Sequence, residues 1–149
     1  MASYGNSKAI AGVGTVFSRF DPDTGQWQDL AEINSISGPT MTREFIDVTS
    51  LDSTDGYKEF ITGFRDAGTA SLAMNFTRET YDLMKADFED NQQQNYEIVL
   101  PDDDQTSFEF AGLVTEIPLE ISPGDKVTVN VTIKLTGPVT VNSGSGSAT

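Results

Sequence analysis

The chain has 149 residues, the size of one domain, and carries 9 Lys plus Arg against 23 Asp plus Glu, a formal charge of −14. So few cations, with no basic run, argue against a binder of nucleic-acid backbone and disfavour an anionic membrane surface. The absence of Cys and His excludes disulfides, thiolate nucleophiles, Cys- or His-ligated metals and a Ser-His-Asp triad.

The opening MASYGNSKAIAGVG has neither a basic n-region nor an apolar h-region, so no secretory signal is expected, and no apolar run reaches bilayer length. Residues 1–11 read as a polar N-terminal arm of the kind that orders on a neighbour. Residues 12–20 and 26–33 flank Asp21-Pro22-Asp23-Thr24-Gly25, where Pro presets one turn dihedral and Gly tolerates a positive φ, which predicts a hairpin. A further short strand is expected over 43–49.

Residues 50–68 then make an unusually long connection between strands. It interleaves Leu51, Tyr57, Phe60, Ile61 and Phe64 with Asp52, Asp55, Lys58, Glu59, Arg65 and Asp66. Those apolar side chains either fold back as a small hairpin or cover another subunit. Left in water they would form an exposed patch, which favours the intermolecular contact.

Period-two alternation places Ala70, Leu72, Met74 and Phe76 on one face of a strand at 69–76. A helix is predicted at about 78–90, with Thr77 as N-cap, Glu79 and Asp82 near its positive end, and Tyr81, Met84 and Phe88 forming the apolar stripe. Tyr96, Ile98 and Leu100 mark the next strand. In the ribbon 106–121 the apolar phase shifts from Phe108, Phe110 and Val114 to Ile117, Leu119 and Ile121, which predicts a bulge between Gly112 and Glu116, and Pro118 puts the second half at an edge or corner. The clearest alternation is Val127, Val129, Val131, Ile133 and Leu135 against Lys126, Thr128, Asn130, Thr132 and Lys134. The expected boundaries are an arm at 1–11, a β domain at 12–136 and a flexible Ser/Gly arm at 137–149.

Motifs for chemistry are sparse. Asp102-Asp103-Asp104, like Asp21, Asp23 and Gly25, offers carboxylates, but the spacing of a calcium loop is missing and a solvated turn is the better reading. Gly12-Val13-Gly14 lacks the third Gly and the following helix of a dinucleotide fingerprint. A glycosidase pair has no specificity among so many acids. The expectation is no enzyme, no cofactor and no metal.

The run GPTMTREFIDVTSLDSTDGYKEFITGFRDAGTASLAMNF at 38–76, the helix after it, SPGDKVTVNVTIKLTGPVT at 122–140 and the opening GTVFSRFDPDTGQWQDLAEINSISGP together resemble the major tail tube proteins of long non-contractile-tailed bacteriophages, the siphophage tail tube family. The resemblance covers about residues 10–140, without an appended immunoglobulin-like domain. It implies an antiparallel β-sandwich or rolled barrel flanked by one α-helix, assembled as a homohexamer whose rings stack into a tube in the virion, after synthesis in the host cytoplasm. It also implies a tape measure protein in the lumen, tail terminator and distal tail proteins at the ends, and genomic DNA passing through without specific binding. In that setting Leu51, Tyr57, Phe60, Ile61, Phe64 and Arg65 are the expected contacts between subunits or rings. The alternatives are the tube subunit of a contractile phage tail or related injection system, which adds a sheath partner, and a secreted adhesion or calcium-binding β module.

Overall fold

A computed structural model describes residues 12, 14–30, 33–51 and 56–143. The arms expected at 1–11 and beyond 143 lie outside the described residues, as do 52–55 of the long connection.

The chain forms β1 (Val16–Asp21), β2 (Gln26–Asp29), β3 (Ile33–Ser37), β4 (Thr42–Asp47), β5 (Phe60–Asp66), β6 (Thr69–Asn75), α1 (Arg78–Glu89), β7 (Gln94–Val99), β8 (Thr106–Glu116), β9 (Leu119–Glu120) and β10 (Thr128–Ser143). One antiparallel sheet runs β2-β1-β7-β8-β10-β6-β3, with β9 paired to β10, and β4-β5 is a separate two-stranded sheet. The larger sheet ends on β2 and β3, which do not pair with each other, so it is not a closed barrel.

Alternation sets which face is buried. Ala70, Leu72, Met74, Val129, Val131, Ile133 and Leu135 are all buried, joined by Phe17, Tyr96, Ile98, Phe110 and Val114 in one core. The one helix among the described residues packs against β8. A helix about 10–12 Å wide cannot cover so many strands. The inner faces of β6 and β10 must therefore be covered by the sheet itself, which rolls over its own core. The bulge expected in β8 falls at Thr115, where Thr132 pairs with Glu116 but Ile133 pairs with Val114. That extra residue turns the strand toward Pro118 and β9.

Thr77 caps α1, its hydroxyl accepting from Thr80 N at 3.3 Å. The buried face of the helix differs from the expected stripe: Thr80, Met84 and Asp87 are buried, whereas Phe88 is exposed. The buried carboxylate explains the rotation. Arg19 Nε donates to Asp87 Oδ2 at 3.0 Å, Arg19 Nη2 reaches Oδ1, and the Tyr96 hydroxyl donates to Oδ2 at 2.9 Å. Burial alone pulls the Arg19 guanidinium down, but the Asp87 hydrogen bonds and charge outweigh it and hold it above its usual range. Burial first and Asp87 second push the Tyr96 phenol well up. This cluster clips α1 to β1 and β7.

Two expectations need correction. The 50–68 connection is not a loop throughout, since Phe60–Asp66 is β5, paired to β4. The C-terminal arm does not begin at 137 either. β10 continues to Ser143 and pairs Thr140–Ser143 with Thr106–Glu109, after a register shift between Thr136 and Thr140. Pro138 falls within that irregularity, where a missing N–H costs no ladder bond.

Candidate assembly surface

The β4-β5 hairpin stands apart from the main sheet and is rooted firmly in it. At the root the Asp66 carboxylate accepts from Gly68 N at 2.8 Å and from Lys134 Nζ at 3.2 Å, and these bonds, the Gly68 N–H first, hold Asp66 below the usual carboxylate range. Gly68 O accepts from Leu135 N at 3.0 Å, and Thr40 Oγ1 accepts from Thr69 N at 3.2 Å. Gly68 has φ +79, and a Cβ there would lie 2.1 Å from Thr40 O, so only glycine fits. Toward the tip, Val48 N donates to Glu59 O, and Thr49 Oγ1 accepts from Glu59 N at 2.7 Å. The side-chain and backbone hydrogen bonds from Thr49 to Asp47 hold that carboxyl below its usual range as well.

Register decides what the hairpin presents. Ile46 lies opposite Ile61, so both share one face, while Phe45 opposite Thr62 and Asp47 opposite Phe60 put two phenylalanines on the other. Between Arg43–Arg65 and Phe45–Thr62 the register shifts by one residue. There Gly63 and Phe64 both face Glu44, and a Cβ on Gly63 would lie 3.0 Å from Glu44 Cβ. Among the described residues no element covers either face: Phe45, Ile46, Phe60 and Ile61 are all about half exposed or more, and Phe64 is 84% exposed.

The six residues expected to make contacts all fall on this one element. Phe60, Ile61, Phe64 and Arg65 belong to β5, while Leu51 and Tyr57 lie in the arch above it, and all are exposed. On β4, Ile46 opposite Ile61 and Phe45 opposite Thr62, with Met41 and Val48 alongside, were not anticipated and are also exposed. Adjacent apolar residues on a strand point to opposite faces, so a run such as Phe45-Ile46 in a short strand is the available sign of a hairpin wetted on both sides. Between the hairpin root and β10 lies a cleft of about 1060 Å³, lined by Met41, Arg43, Phe64, Arg65, Leu135 and Val139 among others.

The outer face of the main sheet carries a polar row. Asp29 faces Ser18, Ser18 faces Glu97, Glu97 faces Glu109 and Glu109 faces Thr140, across β2-β1-β7-β8-β10. The Ser18 hydroxyl donates to Asp29 Oδ1 at 2.6 Å. Partial burial, then the charges of Glu109 and Asp29, raise the Glu97 carboxyl above its usual range. A carboxyl raised in the folded state binds more protons there than when unfolded, so its contribution to stability falls as pH rises through that raised value. Glu97→Gln should therefore stabilise the lone subunit at neutral pH by about 0.5 kcal/mol, the order of one cross-strand like-charge contact. The gain should shrink as the pH drops below the carboxylate range, measured by urea denaturation at both pH values. Asp102, by contrast, closes the β7-β8 turn, accepting from Thr106 N at 2.7 Å and Thr106 Oγ1 at 2.6 Å, which lower its pKa. Among the described residues no helix is long and apolar enough to cross a membrane.

A rolled antiparallel sheet, one flanking helix and a projecting two-stranded hairpin are thus combined in a strongly acidic chain. The family model described as lambda phage tail tube protein matches residues 10–142. The chain belongs to that family. It is a tail tube protein, a structural component of the virion, and no curated protein sequence matches it significantly. Its fold is similar to that of a chain from the tail of an empty gene transfer agent particle, determined with C6 symmetry, at TM-score 0.74 and 21% identity over 91% of this chain and 100% of that one. A chain of the SPP1 tail tube matches at TM-score 0.68 and 9% identity, covering 91% of this tail tube protein and 80% of the other. A chain of the sheath–tube complex of the PVC extracellular contractile injection system matches at TM-score 0.69 and 15% identity, with 91% and 93% covered. The contractile reading gains no advantage from these likenesses, and the siphophage-type tube stands.

Proposed function

We propose that this tail tube protein closes into hexameric rings that stack into a hollow tube, with the β4-β5 hairpin as the element each subunit inserts against its neighbours. Leu51, Tyr57, Phe60, Ile61 and Phe64 act as apolar anchors and Arg65 as a charged partner. The observation that carries this reading is the hairpin's two bare apolar faces. An isolated two-stranded hairpin is marginal in water, and this one is rooted by an ion pair and backbone bonds rather than by burial. It gains its missing cover when other copies pack on both sides. The six-fold symmetry of the gene transfer agent tail supports the ring number.

Six copies carry six times the subunit's charge of −14. A lumen bearing part of that charge repels phosphate over about 8 Å at physiological salt, so genomic DNA passes without specific binding. A tape measure protein fills the lumen before DNA does, tail terminator and distal tail proteins close the ends, and the subunit is made in the host cytoplasm. The role asks for no catalytic residue and no cofactor.

Negative-stain microscopy of the purified protein, with light scattering over a concentration series, tests this reading. Six-fold rings or hollow tubes that grow with concentration are expected. A compact monomer at every concentration, even with an initiating tail-tip complex added, contradicts it.

A further inference from the structure

Two pairs of like charges sit directly across paired strands in every copy. Arg43 faces Arg65 at the hairpin root, and Glu97 faces Glu109 on the outer sheet. Like charges placed so disfavour the very strand pairing that holds them. Among the described residues none of the four side chains makes a hydrogen bond or ion pair. This is notable in a chain with only 9 cationic side chains. The Arg pair shares its hairpin face with Phe45 and Phe60 by register, so whatever covers those rings also meets the arginines. The glutamate pair lies in the row that Asp29 extends, and Ser18 between them is almost fully buried and bonded to Asp29.

Both pairs have the same spacing, about 5 Å between the Cβ atoms of opposed residues. We infer that in the assembled tube the Arg43–Arg65 pair of one subunit seats on the Glu97–Glu109 row of a second copy of this chain. The inference rests on the tube reading and adds to it the surface that receives the hairpin. Two guanidinium forks against two carboxylates form charge-assisted hydrogen bonds that a lone pair could not orient. The repulsion within each copy becomes attraction between copies, so the contact is favoured only in the assembly. It also fixes direction: an arginine pair meeting its own kind in an inverted copy is repelled, so hairpins point one way along the tube. The apolar side chains give the contact its area and the charges give it register.

Charge reversal tests the pairing. Arg43→Glu/Arg65→Glu and Glu97→Lys/Glu109→Lys should each raise the concentration needed for tube formation at least tenfold, with far-UV circular dichroism unchanged. The quadruple variant carrying both reversals should recover tubes near the wild-type concentration. A milder variant guards against misfolding: Glu97→Gln/Glu109→Gln should make the subunit more stable and the tube harder to form. Tubes at the wild-type concentration from either reversal, or a folded quadruple variant that stays defective, overturns the pairing. If the charge variants assemble normally while Phe45→Ser/Phe60→Ser does not, the hairpin reading stands and only its receiving surface is wrong. If the wild-type protein forms no tube at all, the tube reading fails and takes the pairing with it.

Discussion

Asp87→Ala lowers the stability of the subunit by about 3–5 kcal/mol, because it leaves a buried guanidinium with no counter-charge. Arg19 is 7% exposed and Tyr96 is fully buried, so water cannot replace the lost acceptor at either donor. Its other hydrogen-bond partner, Gln28 Oε1 at 3.3 Å from Nη1, is neutral and does not balance the charge. Domains of this size are stable by only about 5–15 kcal/mol, so much of the margin disappears. Asp87→Asn, which keeps an acceptor but loses the charge, should cost less, and Tyr96→Phe should cost about 1 kcal/mol, the net worth of one hydrogen bond. Urea denaturation followed by circular dichroism ranks the three. Equal losses for Asn and Ala would mean that charge balance, rather than hydrogen bonding, dominates the clip.

The second large effect falls on assembly and spares the monomer. Phe45→Ser/Phe60→Ser removes two rings from one face of the hairpin, where neither is packed on the core of its own subunit. Buried aromatic anchors contribute about 2 kcal/mol or more each at an interface. Losing both weakens each contact by about 4 kcal/mol, close to a thousandfold in association. The monomer should melt within a few degrees of wild type while tubes disappear from micrographs and sedimentation profiles. Loss of the folded monomer would instead place those rings in the subunit's own core.

Much of this architecture was legible in the residues. Period-two alternation marked the buried faces of β6, β7 and β10 because those faces meet one core. Thr77 announced the helix start, and the phase slip between Val114 and Ile117 announced the bulge now seen at Thr115. What stayed hidden had physical causes. Asp87 reads as a surface residue, and its partner Arg19 lies 68 positions away, so the buried ion pair left no local trace. β5 was legible only as one of two alternatives, a small hairpin or a cover for another subunit, because both its faces carry apolar groups and Gly63 with Phe64 breaks the period at a bulge. The end of β10 was missed because Gly137-Pro138 looks like a stop, although it sits where the ladder is already interrupted.

The resemblance to tail tube proteins drew on the DVTSLD and GFRDAG stretches, and the structure shows what they do. The first carries Thr49, whose hydroxyl accepts from Glu59 N across the hairpin near the tip, and Asp47, whose carboxylate accepts from Thr49 N and steadies it. The second carries Asp66 and Gly68, which root the hairpin on β10 and against Thr40. Both stretches hold the hairpin in position. Leu51, Tyr57, Phe60, Ile61, Phe64 and Arg65 are the contact residues proposed above, exposed in the lone subunit, and the strand pairing adds Phe45 and Ile46 to that proposal.

A helical cryo-electron microscopy reconstruction of the assembled tubes tests the central claim most directly, because it shows where the β4-β5 hairpin lies. Both faces of the hairpin should be buried against other subunits, with Ile46 and Ile61 covered on one side and Phe45 and Phe60 on the other. A tube in which the hairpin projects freely into solvent or the lumen, with those side chains still bare, would contradict it.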